Sequence, residues 1–463
     1  MLNYIWLGLM VLAVIIGGCT DNLKAVADKS FEMAEFAVMK TSLPLVGIMA
    51  LWLGIMRLAE RAGLVALLAR ALRPLMVWLF PDVPADHPAM GSMLLNMAAS
   101  ILGLGNAATP LGLRAMKDLE TLNPRPGTAT NAMCTYLAIN TSSIQLIPAT
   151  AIAVLAANNA SNPTAIVGTS IMATTCAAIA AVAAAKLLQR LPIYRLPPVA
   201  NPAPQAVADS TESQPGKSSN DKPIIKEAAT LQPLAWWGVA IMAAFGAFFL
   251  YLFFRLAFPE AVRQTLGNLL PALAPHASTE ATNSTTFVRI VDAVSKLSIP
   301  FMLSVFPLYA ALRHVKVYEE FVDGAKEGFD VAIRILPYLV AILVAIGMFR
   351  AAGGIKLLSD LLAPAMHAVG FPSELLPMVL MRPLSGSGTL GMFAELVKQC
   401  GPDSIISRMG GTIFGSTETT FYVLAVYFGS VSIKRTRYAL LAGLVADTVG
   451  VIASVVVCRL VFG

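Results

Sequence analysis

Two carboxylates and one guanidinium stand inside apolar sequence. Glu418 lies between Met409-Gly410-Gly411-Thr412-Ile413-Phe414 and Phe421-Tyr422-Val423-Leu424-Ala425-Val426, and Asp447 lies within the run from Leu441 to Val457. A carboxylate at the centre of a bilayer costs ~2.5–3.5 kcal/mol on insertion scales, so a partner or a role keeps it there. Such a group can hold a cation, bind a hydroxyl or amine of a solute, or take up a proton. Arg382 is a candidate partner for either acid. One reading of Glu418 is a buried ion pair with Arg382. The other is a coupling site in which Arg382, Glu418 and Asp447 act together.

Four clusters of small polar residues accompany these charges. Asn106 and Thr109 sit in the stretch Leu102 to Gly112, and Ser385, Ser387 and Thr389 in the stretch Arg382 to Gly391. Both read as hairpin tips, the Gly103-to-Gly112 and Ser385-to-Gly391 segments forming loops that Pro110 and Pro383 keep from continuing as helix. Asn140, Thr141, Ser142, Ser143 and Gln145 form a third cluster, and Ser416, Thr417, Glu418 and Thr419 a fourth. These two read as unwound centres of membrane spans, where half-helix ends aim partial charge at a ligand. Irregular backbone at bilayer depth must be packed in protein or line a wet cavity. The competing reading is that Ser, Thr and Gly simply let helices approach closely. Asn96 and Asn106 are further uncharged candidates, Asn96 lying close to the place of Arg382 in the other half.

No enzyme is expected. His87, His276, His314 and His367 have no second ligand at helical spacing, no nucleotide-binding loop is present, and Ser387 lacks the strand-turn-helix setting of a hydrolase nucleophile. No metal or cofactor is implied. The five cysteines read as small core residues rather than ligands or a disulfide framework.

The elements that must hold these residues follow from composition. Of 463 residues 57% are hydrophobic and 13% charged, about half the charge usual in soluble domains. Long apolar runs (Tyr4 to Gly18, Leu43 to Met56, Ala165 to Ala185, Leu234 to Phe254, Tyr438 to Val457) suit membrane-spanning helices. Ile16-Gly17-Gly18-Cys19 loosely matches a lipoprotein processing box, but no basic residue precedes it, so residues 3–18 read as a retained first span. The net charge of +6 lies between apolar spans and points to membrane orientation, not to nucleic acid.

The chain also repeats itself. Leu43-Pro44 and Leu53-Gly54-Ile55-Met56-Arg57 return as Leu336-Pro337 and Ile346-Gly347-Met348-Phe349-Arg350, and both the prolines and the arginines are 293 residues apart. Ala173-Thr174-Thr175 matches Ala446-Asp447-Thr448 in the closing spans, so Thr174 is the counterpart of Asp447. The expected organisation is a first repeat over 1–191, a Pro/Ser-rich cytoplasmic linker over 192–232, and an unpaired transmembrane helix over 233–258. An external loop over 259–293 and a second repeat over 294–463 follow. Basic clusters at Arg57 to Arg73, Arg114 to Arg125, Lys186 to Arg195 and Lys434 to Arg437 agree only if the repeats face opposite ways. The fold expected is all-α and polytopic: two inverted repeats with re-entrant hairpins and broken transmembrane helices. Nine crossings leave the N-terminus inside and the C-terminus outside, and whether 87–117 and 373–398 are hairpins or full crossings is left open.

Trp52-Leu53-Gly54-Ile55-Met56-Arg57-Leu58-Ala59-Glu60, His87-Pro88-Ala89-Met90-Gly91 and Leu102 to Pro110 resemble spore maturation protein A. Arg382 to Gly388 and Gly415-Ser416-Thr417-Glu418-Thr419-Thr420-Phe421-Tyr422 resemble spore maturation protein B. The chain is similar to a fusion of the two, within the gate-domain group shared with concentrative nucleoside transporters and the membrane part of ferrous iron transport protein B. The resemblance implies that Glu418 is a binding carboxylate, since Gly415 to Thr419 is similar to the Gly-Gln-Thr-Glu motif of nucleoside transporters. Here Ser416 replaces Gln, and Thr419-Thr420 stand where Ala-Pro follows there. The expectation is a secondary transporter in a bacterial inner membrane, moving a small polar solute, with a nucleoside as the candidate the resemblance supplies, coupled to a proton or cation. An uncoupled channel and a non-transporting scaffold are the alternatives. The partners expected are the lipid bilayer and a small-molecule or ion substrate, and assembly as a homo-oligomer is compatible with the chain.

Overall fold

The computed structural model describes residues 2–103, 105–194, 234–266, 285–354, 357 and 370–463. Most of the expected linker, His276, His367 and, apart from Leu357, residues 355–364 lie outside the described residues. The protein is an all-α polytopic membrane protein. Its first part comprises α1 (Leu2–Cys19), α2 (Leu23–Glu35), a π-helical segment (Phe36–Ser42), α3 (Leu43–Arg61), α4 (Leu64–Leu79), α5 (Pro88–Ile101), α6 (Gly105–Glu120), α7 (Asn131–Ser142), α8 (Ala149–Ala157) and α9 (Ile166–Leu188). Then come α10 (Trp236–Ala257), α11 (Pro259–Leu266), α12 (Thr286–Leu312), α13 (Val317–Ala351), α14 (Leu376–Met381), α15 (Gly386–Cys400), α16 (Ile405–Ser416), α17 (Thr420–Gly429) and α18 (Ala439–Phe462).

Leu23 to Arg61 is one unbroken 39-residue helix. Pro44 has no N–H and would clash with the carbonyl four residues back in a regular helix. The π-helical turn just before it widens the register, and the Leu43 N–H bonds Val38 O, five residues back. Its counterpart in the second repeat is α13, of 35 residues.

These two long helices pack antiparallel along their length. Met33 lies against Gly347, Ala50 against Gly328, Leu53 against Gly324 and Phe321 against Gly54. Arg57 bonds Glu320 at 3.3 Å and Glu327 at 3.4 Å, and Arg61 bonds Glu320 at 3.2 Å. Equivalent helices that run in opposite directions are what inverted repeats require. The closing spans α9 and α18 do the same. Thr169 and Cys458 meet at the Thr412 hydroxyl, at 2.8 and 3.3 Å, and Ala177 faces Gly450.

The loops complete the inversion. The α6–α7 loop of the first repeat pairs with the α17–α18 loop of the second: Lys434 N and Arg435 N donate to Gly127 O, and Ala129 N donates to Arg435 O, each at 3.0 Å. Arg437 adds bonds to Ala129 O and Asn131 Oδ1. At the other end the α8–α9 loop meets the α15–α16 loop, where the Ser161 N–H and hydroxyl donate to Asp403. Matching loops therefore sit at opposite ends of the bundle.

Among the described residues five helical segments are long and apolar enough to cross a membrane: Leu23–Arg61, Pro163–Leu188, Trp236–Ala257, Thr286–Leu312 and Ala439–Phe462. Two shorter apolar stretches, Trp6–Cys19 and Leu339–Ala351, join them. The broken spans α7–α8 and α16–α17 are each built from two shorter helices.

Several expectations need correction. Residues 259–293 are not a loop where described: Pro259–Leu266 and Thr286–Leu312 are helical, because Pro259 sets a helical first turn and Thr285 caps α12 by accepting from Val288 N. The second repeat's first helix accordingly begins before residue 294. Of the cysteines only Cys134 and Cys458 are buried, while Cys19 and Cys176 are exposed; an apolar face toward lipid needs no protein cover.

Candidate functional site

The hairpins resolve as helix pairs. In the first, α5 and α6 have 14 and 16 residues, spanning ~21 and ~24 Å against a hydrocarbon core of about 30 Å. Their antiparallel fold is fixed by the Asn96 amide donating to Ala108 O at 2.7 Å and by the Ser92 hydroxyl on Asp118. The expected Gly103-to-Gly112 loop is much shorter than its sequence suggests. Gly103, with φ of 78°, makes the turn, and α6 already starts at Gly105 and runs through Pro110. Near a helix start proline removes only one backbone bond, so it does not end the helix. The second hairpin corrects the same way: Ser385 caps α15 by accepting from Gly388 N, and Gly386 to Gly391 are helical. Pro383 stays in the turn.

Both broken spans part where the polar clusters lie. α7 ends at Ser142, and Ser143 takes a left-handed φ of 41°; α16 ends at Ser416 and α17 begins at Thr420. The breaks cross, with Glu418 N donating to Thr141 O at 2.7 Å and Pro148 against Gly415. Each hairpin tip closes on the break of its own repeat in the same manner: Leu146 N donates to Ile101 O, and Phe421 N to Pro383 O, both at 3.0 Å. Four segments of irregular backbone thus satisfy one another, as low dielectric demands.

The two breaks are finished differently. The last four carbonyls of α7 all find donors: Ser142 Oγ on Ile139 O, Ser143 N on Asn140 O, Glu418 N on Thr141 O, and Thr174 Oγ1 on Ser142 O, which it shares with Ser143 O. In the second repeat, Ser416 Oγ donates to Ile413 O and Arg382 Nη2 to Phe414 O. Asp447, in the place of Thr174, accepts the Thr420 hydroxyl on one oxygen. Its other oxygen, Arg382 Nε, Thr417 Oγ1 and the nearby Ser170 Oγ are buried without a partner. Unpaired polar atoms are the usual mark of a place awaiting a ligand, ion or water.

Arg382 is the C-terminal neighbour of α14, stacked on the Phe414 ring at 4.7 Å. It lies within electrostatic reach of Glu418 and Asp447, yet among the described residues no ion pair within 4.0 Å joins it to either. The ion pair with Arg382, one of the two readings of Glu418, is therefore not formed; the stacking and the bond to Phe414 O hold the guanidinium back. Glu418 is half-buried, and its carboxylate accepts from Thr419 N at 3.4 Å.

The remaining candidates divide. Thr141, Ser142, Ser143, Ser416, Thr417, Thr419, Ser385 and Thr389 are buried at the crossing or its adjoining tip, and Ser387 is half-buried there. Several spend their hydroxyls on helix carbonyls, Thr141 on Leu137 O and Thr389 on Ser385 O. Thr109 and Gln145 are half-buried. The Asn106 side chain lies outside the described residues. Asn140 belongs to a buried chain instead: Tyr136 Oη donates to Asn96 Oδ1 at 2.6 Å, Asn140 Nδ2 to Tyr136 O at 2.9 Å, and Tyr427 Oη to Asn140 Oδ1 at 3.4 Å. Asn96 lies well inside α5 and does not take the place of Arg382. Tyr136, Tyr427 and Ser170 were not singled out by sequence. Only the four-residue spacing of Tyr136 and Asn140 hints at a shared helix face.

The comparisons agree with this arrangement. The family described as Gate, nucleoside recognition, matches residues 42–189 and 332–434, more than half of the chain. Spore maturation protein B of Bacillus subtilis (strain 168) is 46% identical over 176 residues, which is 38% of this chain and 99% of that protein. Spore maturation protein A of the same organism is 44% identical over 182 residues, 39% of this chain and 92% of that protein. No solved structure matches the chain. Two matched regions, separated by residues 190–331 and each containing a hairpin and a broken span, lead to one conclusion: the chain belongs to the Gate (nucleoside recognition) family and joins segments similar to spore maturation proteins A and B.

Proposed function

We propose that this protein is a secondary transporter of a small polar solute in a bacterial inner membrane, with its site where the two broken spans cross. Glu418 couples solute movement to a proton or cation, and Asp447 completes the acidic pair of the site. The observation that carries the reading is the buried, unpartnered set of Asp447 Oδ1, Thr417 Oγ1 and Arg382 Nε beside that crossing. A scaffold gains nothing from such atoms, which cost stability when left unpaired. Membership of the nucleoside-recognition family makes a nucleoside one candidate solute.

Orientation follows from charge. Lys186 and Arg190 at the end of α9 lie at the same end of the bundle as Lys434, Arg435 and Arg437, since Arg437 Nη2 bonds Tyr194 O at 2.5 Å. Basic ends face the cytoplasm, so the N-terminus is inside and the C-terminus outside.

Purified protein in liposomes, given an inward proton gradient and labelled nucleosides and amino acids, is expected to accumulate one of them. The pair Glu418→Gln plus Asp447→Asn is expected to abolish accumulation. Conductance that persists without any gradient coupling points to a channel. Full cellular function of the double variant sinks the transport reading and leaves a scaffold.

A further inference from the structure

The centre of the second repeat buries both signs of charge without joining them. Arg382 is 3% exposed and Asp447 5%. Arg382 donates a hydrogen bond from Nη2 to Phe414 O, and its Nε has no partner; Asp447 takes the Thr420 hydroxyl, and its Oδ1 has none. Thr417, 1% exposed, has an unpartnered hydroxyl, and its methyl lies against Gly450, one turn along α18 from Asp447. Separated buried charges are costly, and direct pairing is the usual relief. Here stacking on Phe414 and the helix-end carbonyl keep the guanidinium from the acids.

The chemistry of the occupant follows from what each class of solute leaves unsatisfied. A neutral nucleoside compensates neither pole. A simple cation answers Asp447 and leaves Arg382; a simple anion does the reverse. A molecule with a carboxylate and an ammonium on one carbon answers both. We infer that the site takes a zwitterionic solute of the α-amino-acid type, with its carboxylate on Arg382 and its ammonium on Asp447 beside the Thr417 and Thr420 hydroxyls. Arg382 and Asp447 then cancel against the bound solute, and half-buried Glu418 is the carboxylate left to carry the coupling proton or cation. The groups facing Asp447 fit this division. The titratable ones are Arg382 from the second hairpin and Glu418 from the break, while α9 presents Ser170 and Thr174 to the breaks. This inference rests on the proposed site but not on flux through it.

The test is thermal unfolding of the purified full-length protein, titrated with the common α-amino acids, their methyl esters, and nucleosides. At least one amino acid is expected to raise the melting temperature as its concentration passes its dissociation constant. Its methyl ester, lacking the anionic pole, is expected to bind about tenfold or more weakly, as is the free amino acid to Arg382→Gln and to Asp447→Asn. The ester comparison uses the unaltered protein, so it stands even where a variant fails to fold. Equal binding of ester and free acid overturns the inference, as does stabilisation by nucleosides alone or by nothing in the panel. Nucleoside uptake without amino-acid binding removes this inference and keeps the transport reading. Amino-acid binding without any flux does the opposite.

Discussion

Thr174 and Asp447 occupy matching positions, and the difference between a hydroxyl and a carboxylate decides how each break is finished. Thr174 donates to two break carbonyls and closes the first repeat, whereas Asp447 can only accept when ionised and leaves one oxygen without a partner. Their identities and correspondence are visible in sequence; their hydrogen bonds are not. At the loop end, Asp403 accepts from the backbone and side chain of Ser161, and these bonds hold its carboxyl below the usual carboxylate range. A depressed carboxylate stabilises the fold above its unfolded pKa and loses that contribution as pH falls through its folded value. Wild type is therefore expected to melt above Asp403→Asn at neutral pH, with the gap closing on acidification; a gap that widens in acid contradicts the assignment.

At the scale of elements, close approach of the long helices depends on residues without side chains. A Cβ on Gly328 falls 2.5 Å from Ala50 Cα and 2.7 Å from Ala50 N, backbone that cannot turn aside, while one on Gly47 meets nothing within 4 Å. Gly328→Ala is expected to destabilise the protein by roughly 1–3 kcal/mol, and Gly47→Ala to change little. Equal melting temperatures for the two variants refute the packing. The duplicated arginines also part company: Arg57 pairs with Glu320 and Glu327 on the facing long helix, whereas Arg350 pairs with Glu395 on the second hairpin. Sequence located these elements well and misjudged how they end. Glycine and proline near Gly103 to Gly112 marked a turn, yet Gly105 to Gly112 are helical where α5 and α6 pack together.

Across the whole molecule, the repeats face opposite ways, so equivalent loops must emerge on opposite sides of the membrane. In a background free of native cysteine, Asn159→Cys on the α8–α9 loop is expected to react with an impermeant thiol reagent from outside. Lys434→Cys, on the matching loop of the second repeat, is expected to react only after the membrane is opened. Labelling of both from one side breaks the inversion. What the sequence determined by itself is local and statistical: apolar runs long enough for a bilayer, a repeat offset of 293 residues, and acids too costly to be incidental. Tertiary structure alone decided which of the polar residues meet. Whether a hydroxyl is spent on a helix carbonyl, as for Thr141, or left open, as for Thr417, depends on neighbours hundreds of residues away. Hydrogen bonds are short and directional, so only the packed crossing of the two spans could separate closed positions from open ones.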